Sequence, residues 1–239
     1  MSLHGVQLAV PSGVAHPGRD PASGFFHRTV GPMIAPGHRV LDLGCGAGIG
    51  ALVAALRGAK AVALDRDANA VAATVANARA AGFPVVEGEP EDGQVAAFVA
   101  DLPGALAGHE AFDLVLWNAE QRTPAERATV VESLTHVPAL LGERGRLLVL
   151  VERGSGLEAE VREALPEGYR VVVLARDLGL RPAFRVLCVG WDTEAARARR
   201  HAERKRSKEA KAAKARQRWD GTRRTPEGAP DDDTKETRP

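Results

Sequence analysis

The run Arg39-Val40-Leu41-Asp42-Leu43-Gly44-Cys45-Gly46-Ala47-Gly48 is a short β-prone segment that breaks into three spaced glycines. An alanine-rich stretch from Gly48 to Leu56 follows, closed by Arg57-Gly58, with the composition and punctuation of a helix. The order is therefore strand, tight loop, helix. A glycine loop in that setting lets backbone approach a ligand closely, because a side chain would collide there and positive φ angles are called for.

Reading outward, the unit recurs. Ala61 to Leu64 is expected as a strand, Ala68 to Ala81 as a helix capped by Asp67 and ended by Gly82, and Val85-Val86 as a short third strand. Gln94 to Val99 reads as a short helix, and Phe112 to Trp117 as a strand. Thr123-Pro124-Ala125-Glu126 is a capping box with proline at the first helical position, predicting a helix towards Leu141 kinked near Pro138. Arg146 to Val151 is an almost unbroken apolar strand, and Leu157, Val161 and Leu165 mark one face of a helix. Tyr169 to Leu174 and Ala183 to Val189 are the last two strands. Strands apolar on both faces and alternating with helices call for a parallel sheet covered on both sides, an α/β fold.

The last connection is different. Only Ala175 to Pro182 separates the final two strands, whereas a parallel crossover needs about a dozen residues, so the last strand is expected to run antiparallel. With that hairpin and the spacing D-x-G-x-G-x-G at Asp42 to Gly48, the chain resembles the class I S-adenosylmethionine-dependent methyltransferases over roughly residues 35 to 192. The resemblance implies a Rossmann-like, seven-stranded sheet, mostly parallel with an antiparallel last strand and helices on both faces. It also implies S-adenosylmethionine as cofactor and methyl transfer as the activity.

The glycines alone do not choose the cofactor, since Gly46 to Ala51 also satisfies the dinucleotide pattern G-x-G-x-x-A. Asp42 favours the methyl donor: a carboxylate at the strand end suits a cationic ligand better than a pyrophosphate. By resemblance this acid helps bind the methionine end, with Gly44, Cys45, Gly46 and Gly48 forming the loop. Asp65 ends the second strand about 20 residues after the loop, where a carboxylate can accept hydrogen bonds from ribose hydroxyls; its neighbour Arg66 is grouped with it. Gly88-Glu89 matches a family position at which an acid contacts the adenine amino group. Glu87, Glu91 and Asp92 crowd the same loop, and a solvated acidic turn is the alternative.

Asn118-Ala119-Glu120-Gln121 follows the fourth strand, at the end where open α/β sheets place ligands. Family members acting on amino groups of glutamine, adenine or guanine carry Asn-Pro-Pro-aromatic here, and only the asparagine is kept. Gly13-Val14-Ala15-His16-Pro17, with Ser23 and Phe25-Phe26, is loosely similar to the segment preceding the loop in the glutamine N5- and ribosomal-protein methyltransferases. Asn118 is expected to orient the acceptor and touch the cofactor, with Glu120 and His16 as bases and His27 a weaker one. Phe25 and Phe26 are weighed as core before lid, and Trp117 and His136 are read as packing or surface residues.

The 239 residues are 44% hydrophobic and carry a net charge of +1, enough for one ordinary core. Residues 1–38 read as a mostly irregular segment covering the active site, 39–192 as the methyltransferase domain, and 193–239 as a basic tail. No run approaches the roughly 18 apolar residues of a membrane helix, and Met1-Ser2-Leu3-His4 lacks the order of a secretion signal, so a soluble cytoplasmic protein is expected. Cys45 and Cys188 lie far apart, which argues for two free thiols, no disulfide framework and no metal site.

The tail carries 15 Lys and Arg against 9 Asp and Glu, leaving residues 1–192 at −5. Arg197 to Arg218 alone holds 11 basic residues against Glu203 and Glu209, without aromatic interleaving before Trp219. A solvated tail and an RNA anchor are the two readings. The acceptor is accordingly a protein or peptide side chain or a small metabolite, methylated on nitrogen before oxygen, or RNA held through the tail. A non-catalytic binding module built on the same fold is the remaining class, and oligomeric state has no signature.

Overall fold

The computed structural model describes residues 2–3, 6–12, 14, 20–100, 111–118, 123–177, 179 and 182–192. The chain divides into two compact units, Met1–Asp192 and Thr193–Pro239, and all described residues belong to the first. In chain order, β1 (Ser2–Leu3) and β2 (Val6–Gln7) form a small antiparallel pair, followed by α1 (Pro21–Val30), β3 (Arg39–Leu43), α2 (Ile49–Leu56), β4 (Lys60–Asp65) and α3 (Ala68–Ala80). Then come β5 (Val85–Val86), β6 (Val95–Val99), β7 (Phe112–Trp117), α4 (Pro124–Leu134), α5 (Val137–Leu140) and β8 (Leu141–Glu152). α6 (Leu157–Ala164), β9 (Tyr169–Arg176) and β10 (Phe184–Trp191) complete the unit.

Among the described residues the main sheet has eight strands in the order β5-β6-β4-β3-β7-β8-β10-β9. From β5 to β8 every pairing is parallel, and β10 runs antiparallel to both β8 and β9. The short 177–183 connection thus does what its length requires. The sheet has one strand more than the seven expected, because 95–99 is not a helix: Val95 and Ala96 are fully buried in a strand that slots between β4 and the two-residue β5. A five-residue apolar run can satisfy either period, and the vacant sheet position beside β4 decided the matter.

Residues 21–30, expected as irregular, form helix α1. Asp20 caps it, accepting from the Ala22 and Ser23 backbone N–H groups at 3.1 Å each, and Pro21 takes the first position, where no N–H is needed. Phe26 and Val30 on this helix are fully buried with Leu52 of α2 and Leu148 and Leu150 of β8, so Phe26 is core and Phe25 packs against it. The opposite face of the sheet packs Leu41, Leu43, Trp117 and Val149 against Leu134, Leu157 and Val161 of α4 and α6. The Thr123 capping box is present, while the helix it starts ends at Leu134 and a separate turn holds Pro138. No helix among the described residues is long and apolar enough to cross a membrane.

β3 is the pivot. From it the chain steps through α2 to β4 on one side, and β7 pairs on the other, so the strand order reverses between β3 and β7. Open α/β sheets bind ligands outside the carboxyl ends of the strands at such a point.

Candidate active site

The loop after β3 is held from beneath. Gly44 and Cys45 donate backbone N–H groups to Leu64 O at 2.8 and 3.1 Å, and Gly48 N–H reaches Cys45 O at 2.8 Å. Gly44, Gly46 and Gly48 have φ of 69°, 54° and 85°, left-handed values that favour glycine. A Cβ at Gly44 or Gly46 would meet nothing within 4 Å, whereas one at Gly48 would strike Thr74 of α3. The first two glycines therefore open a space above the loop, and the third allows α3 to pack close.

Asp42 lies beneath the same loop, nearly inaccessible to solvent, and its Oδ2 accepts the Ala51 N–H at 2.9 Å. Gly48, the residue before α2, has no side chain to cap the helix, so the strand carboxylate takes over that task. Gly50 is required for this arrangement: a Cβ there would stand 2.5 Å from Asp42 Cγ. Burial pushes the Asp42 carboxyl up to about 7, against the lowering effect of the Ala51 N–H and with a further push from Asp65.

Asp65, half-buried at the end of β4, accepts from Gly46 N–H through Oδ2 and from Asp67 N–H through Oδ1, both at 3.0 Å. A carboxylate has about four acceptor positions, which leaves capacity for hydroxyl donors. Arg66 beside it is exposed, and Asp67 caps α3 by accepting from Asn69 N–H at 2.8 Å. Cys45 is buried; burial and Asp42 push its thiol up, so it stays protonated against Thr74 Oγ1.

Two residues with no motif complete the support. Thr74 Oγ1 donates to Gly46 O at 3.1 Å, and Asn77 Nδ2 donates to Ala47 O at 2.9 Å. Both are fully buried on α3, one turn apart. Their trace in the sequence is two polar residues, three apart, in a helix otherwise made largely of alanine and valine.

Leu43 is paired in register with Trp117, so Asn118, half-buried, leaves the sheet level with Gly44 across the switch point. Trp117 is buried in the opposite core, as strand alternation requires. His16 and Glu120 lie outside the described residues. His27 is buried on α1 with its ring edge-on to Phe26 at 5.2 Å, a packing position, and His136 is exposed after α4.

Glu89 is placed elsewhere. It precedes β6, at the amino end of the sheet, where its carboxylate takes the buried Arg39 guanidinium in a two-pronged pair at 2.5 and 2.7 Å. Arg39 also stacks on the Phe112 ring, 4.0 Å from its centroid. Residues 85–86 form the edge strand β5 and the neighbour of β4 is β6, so the acidic turn that precedes β6 lies on the side of the sheet away from the glycine loop.

The open space over Gly44 and Gly46 and the spare acceptors of Asp65 make a cradle with room and acceptors for a nucleoside, with the buried Asp42 beneath it. S-adenosylmethionine contains such a nucleoside.

The family model described as methyltransferase small domain matches residues 7–176. Among solved structures, the chain is similar to an rRNA methylase from Streptococcus thermophilus, at 14% identity over 71% of this chain and 96% of that one, with a TM-score of 0.54. It is similar to ribosomal protein L11 methylase from Lactobacillus delbrueckii subsp. bulgaricus, at 18% identity over 77% and 84%, with a TM-score of 0.57. A methyltransferase from Pyrococcus furiosus gives 13% identity over 80% and 91%, with a TM-score of 0.59. These likenesses concern the fold, and no curated protein sequence matches. The family match covers most of the chain, which therefore belongs to the methyltransferase small domain family, enzymes that use S-adenosylmethionine as methyl donor.

Proposed function

We propose that the chain methylates a nitrogen of a protein or peptide side chain, or of a small metabolite, held beside Asn118. The Leu43 and Trp117 register, which brings Asn118 to the edge of the glycine loop, supports the position of the acceptor, and the net charge of −5 on residues 1–192 supports an acceptor that is not a polyanion. Bound S-adenosylmethionine supplies an electrophilic methyl on a positively charged sulfur. The chain's task is alignment: a nucleophile held in line and shielded from water needs little further assistance unless it is protonated. In this reading the Asn118 amide and carbonyl orient the nucleophile, and Glu120 or His16 accepts a proton where one must leave. Asp65 accepts from the ribose, while Gly44, Cys45, Gly46 and Gly48 give the backbone surface under the cofactor, Asp42 supplies negative charge and Arg66 flanks the ribose. For the adenine end the sequence offers Asp101, which lies outside the described residues and directly follows Ala100, whose N–H donates to Asp65 O at 2.9 Å.

A second reading, RNA methylation with the tail as anchor, is favoured by one feature, the 11 basic residues against two acidic ones between Arg197 and Arg218. Incubation with labelled S-adenosylmethionine and fractionated lysate, using the full chain and a variant lacking residues 193–239, separates the two. Label in protein or small molecules that survives the deletion supports the first. Label in RNA that is lost on deletion, and that falls steeply with salt in the full chain, replaces it with the second. Cofactor binding without label in any fraction refutes both and leaves a binding module.

A further inference from the structure

The support of the donor loop is shared with a distant part of the chain. Asn77 donates one Nδ2 hydrogen to Ala47 O at 2.9 Å, and uses the rest of its amide on Ala9, accepting Ala9 N–H at 2.7 Å and donating to Ala9 O at 2.8 Å. This two-pronged pairing with a backbone residue is what a neighbouring strand would provide. Asn77 is fully buried, and Leu8, next to Ala9, is buried in the core that includes α1 and α2. One side chain therefore fixes both the orientation of the 47–48 peptide and the position of residues 8–10.

Geometry gives the pairing its consequence. Asn77 Nδ2 has two hydrogens, one committed to each site, and the amide is planar, so rotating to serve one partner moves the other bond. Thr74 holds the neighbouring Gly46 carbonyl independently, from one turn earlier on α3. Of the two, only Asn77 joins the loop to the segment at Ala9. We infer that Asn77 is a positioning residue that makes the geometry of the donor loop, and hence cofactor affinity, depend on residues 8–10 being docked. The inference rests on the loop being the S-adenosylmethionine site.

The test is a double-mutant cycle read by calorimetry with S-adenosylmethionine, below the unfolding temperature of every variant. Ala9→Pro removes the N–H that Asn77 accepts and sets a ring carbon in the place of that hydrogen, against Asn77 Oδ1, so it undocks residues 8–10 from Asn77 while keeping Leu8. Asn77→Ala is expected to weaken binding roughly five- to tenfold and Ala9→Pro by a smaller but measurable factor, as for lost hydrogen bonds. The double variant is expected to match Asn77→Ala alone. A purely structural role would lower the unfolding temperature and leave the affinity of the folded protein unchanged. Wild-type affinity in Ala9→Pro, or losses that multiply in the double variant, overturns the coupling. If Asn77→Ala does not fold, Asn77→Asp, which keeps the acceptor and loses both donations, takes its place, and unchanged affinity there overturns it equally. Failure of the wild-type chain to bind S-adenosylmethionine rejects the site assignment instead.

Discussion

Replacing Asp42 by asparagine removes one charge from beneath the loop at almost constant shape. The carboxyl has an ordinary value of 3.8 and is raised to about 7, chiefly by burial. A tenfold change in proton affinity is about 1.4 kcal/mol, so the rise makes roughly 4 kcal/mol of differential stabilisation of the protonated form. The folded value lies above the unfolded one, so between these limits the native chain holds a proton that the unfolded chain has released. The contribution is fully present below about pH 4 and is lost as pH rises through 7; from pH 5 to pH 8 it falls by about 3 kcal/mol. The Asp42→Asn variant has no such titration. Its amide oxygen can still accept the Ala51 N–H, and any cost of its NH2 group is the same at both pH values. Urea unfolding of both proteins without cofactor, at pH 5 and pH 8, should therefore show the variant gaining about 3 kcal/mol relative to wild type across the interval. A difference between the two that does not change with pH would refute the burial argument. A cationic ligand above the loop should favour the ionised form, so S-adenosylmethionine binding at pH 6 should release a proton from wild type. That release should be absent from the variant when measured in buffers of different ionisation enthalpy.

Gly50→Ala should destabilise the fold by about 1–3 kcal/mol, because the added carbon meets the Asp42 carboxyl; urea unfolding equal to wild type would show that the strand carboxylate does not sit against α2. Asp65→Ala should weaken S-adenosylmethionine by about 1.5–3 kcal/mol in calorimetry, through lost charge-assisted bonds, and an unchanged affinity would remove it from the site. Glu89→Gln should lower the unfolding temperature by loosening Arg39 yet leave cofactor affinity within about twofold, and a tenfold loss would restore Glu89 to the adenine pocket.

The strand, glycine loop and helix at 39–56 were legible because each depends on local chemistry: β-prone residues, positive φ at the loop glycines, an alanine-rich helix. The antiparallel β10 was legible from a chain length, and the Asp67 and Thr123 caps from side chains that bond their own helix within three residues. Such interactions span a few positions, so their partners are adjacent in sequence. Helix α1 carried a readable cap at Asp20-Pro21, but its glycine, histidine and aromatic content obscured the period. What the tertiary structure alone decided lies at long range. Whether 95–99 is helix or strand depended on a vacancy beside β4, and that choice moved Glu89 from the ligand end of the sheet to Arg39 at the other. Asp42 is a motif acid in the sequence; the fold makes it the cap of α2, raised by burial and dependent on Gly50. Thr74 and Asn77 have no motif, because their partners at 46, 47 and 9 lie 28 to 68 residues away. Hydrogen bonds of that span come into being only when packing brings the segments together and excludes the water that would otherwise satisfy the same groups.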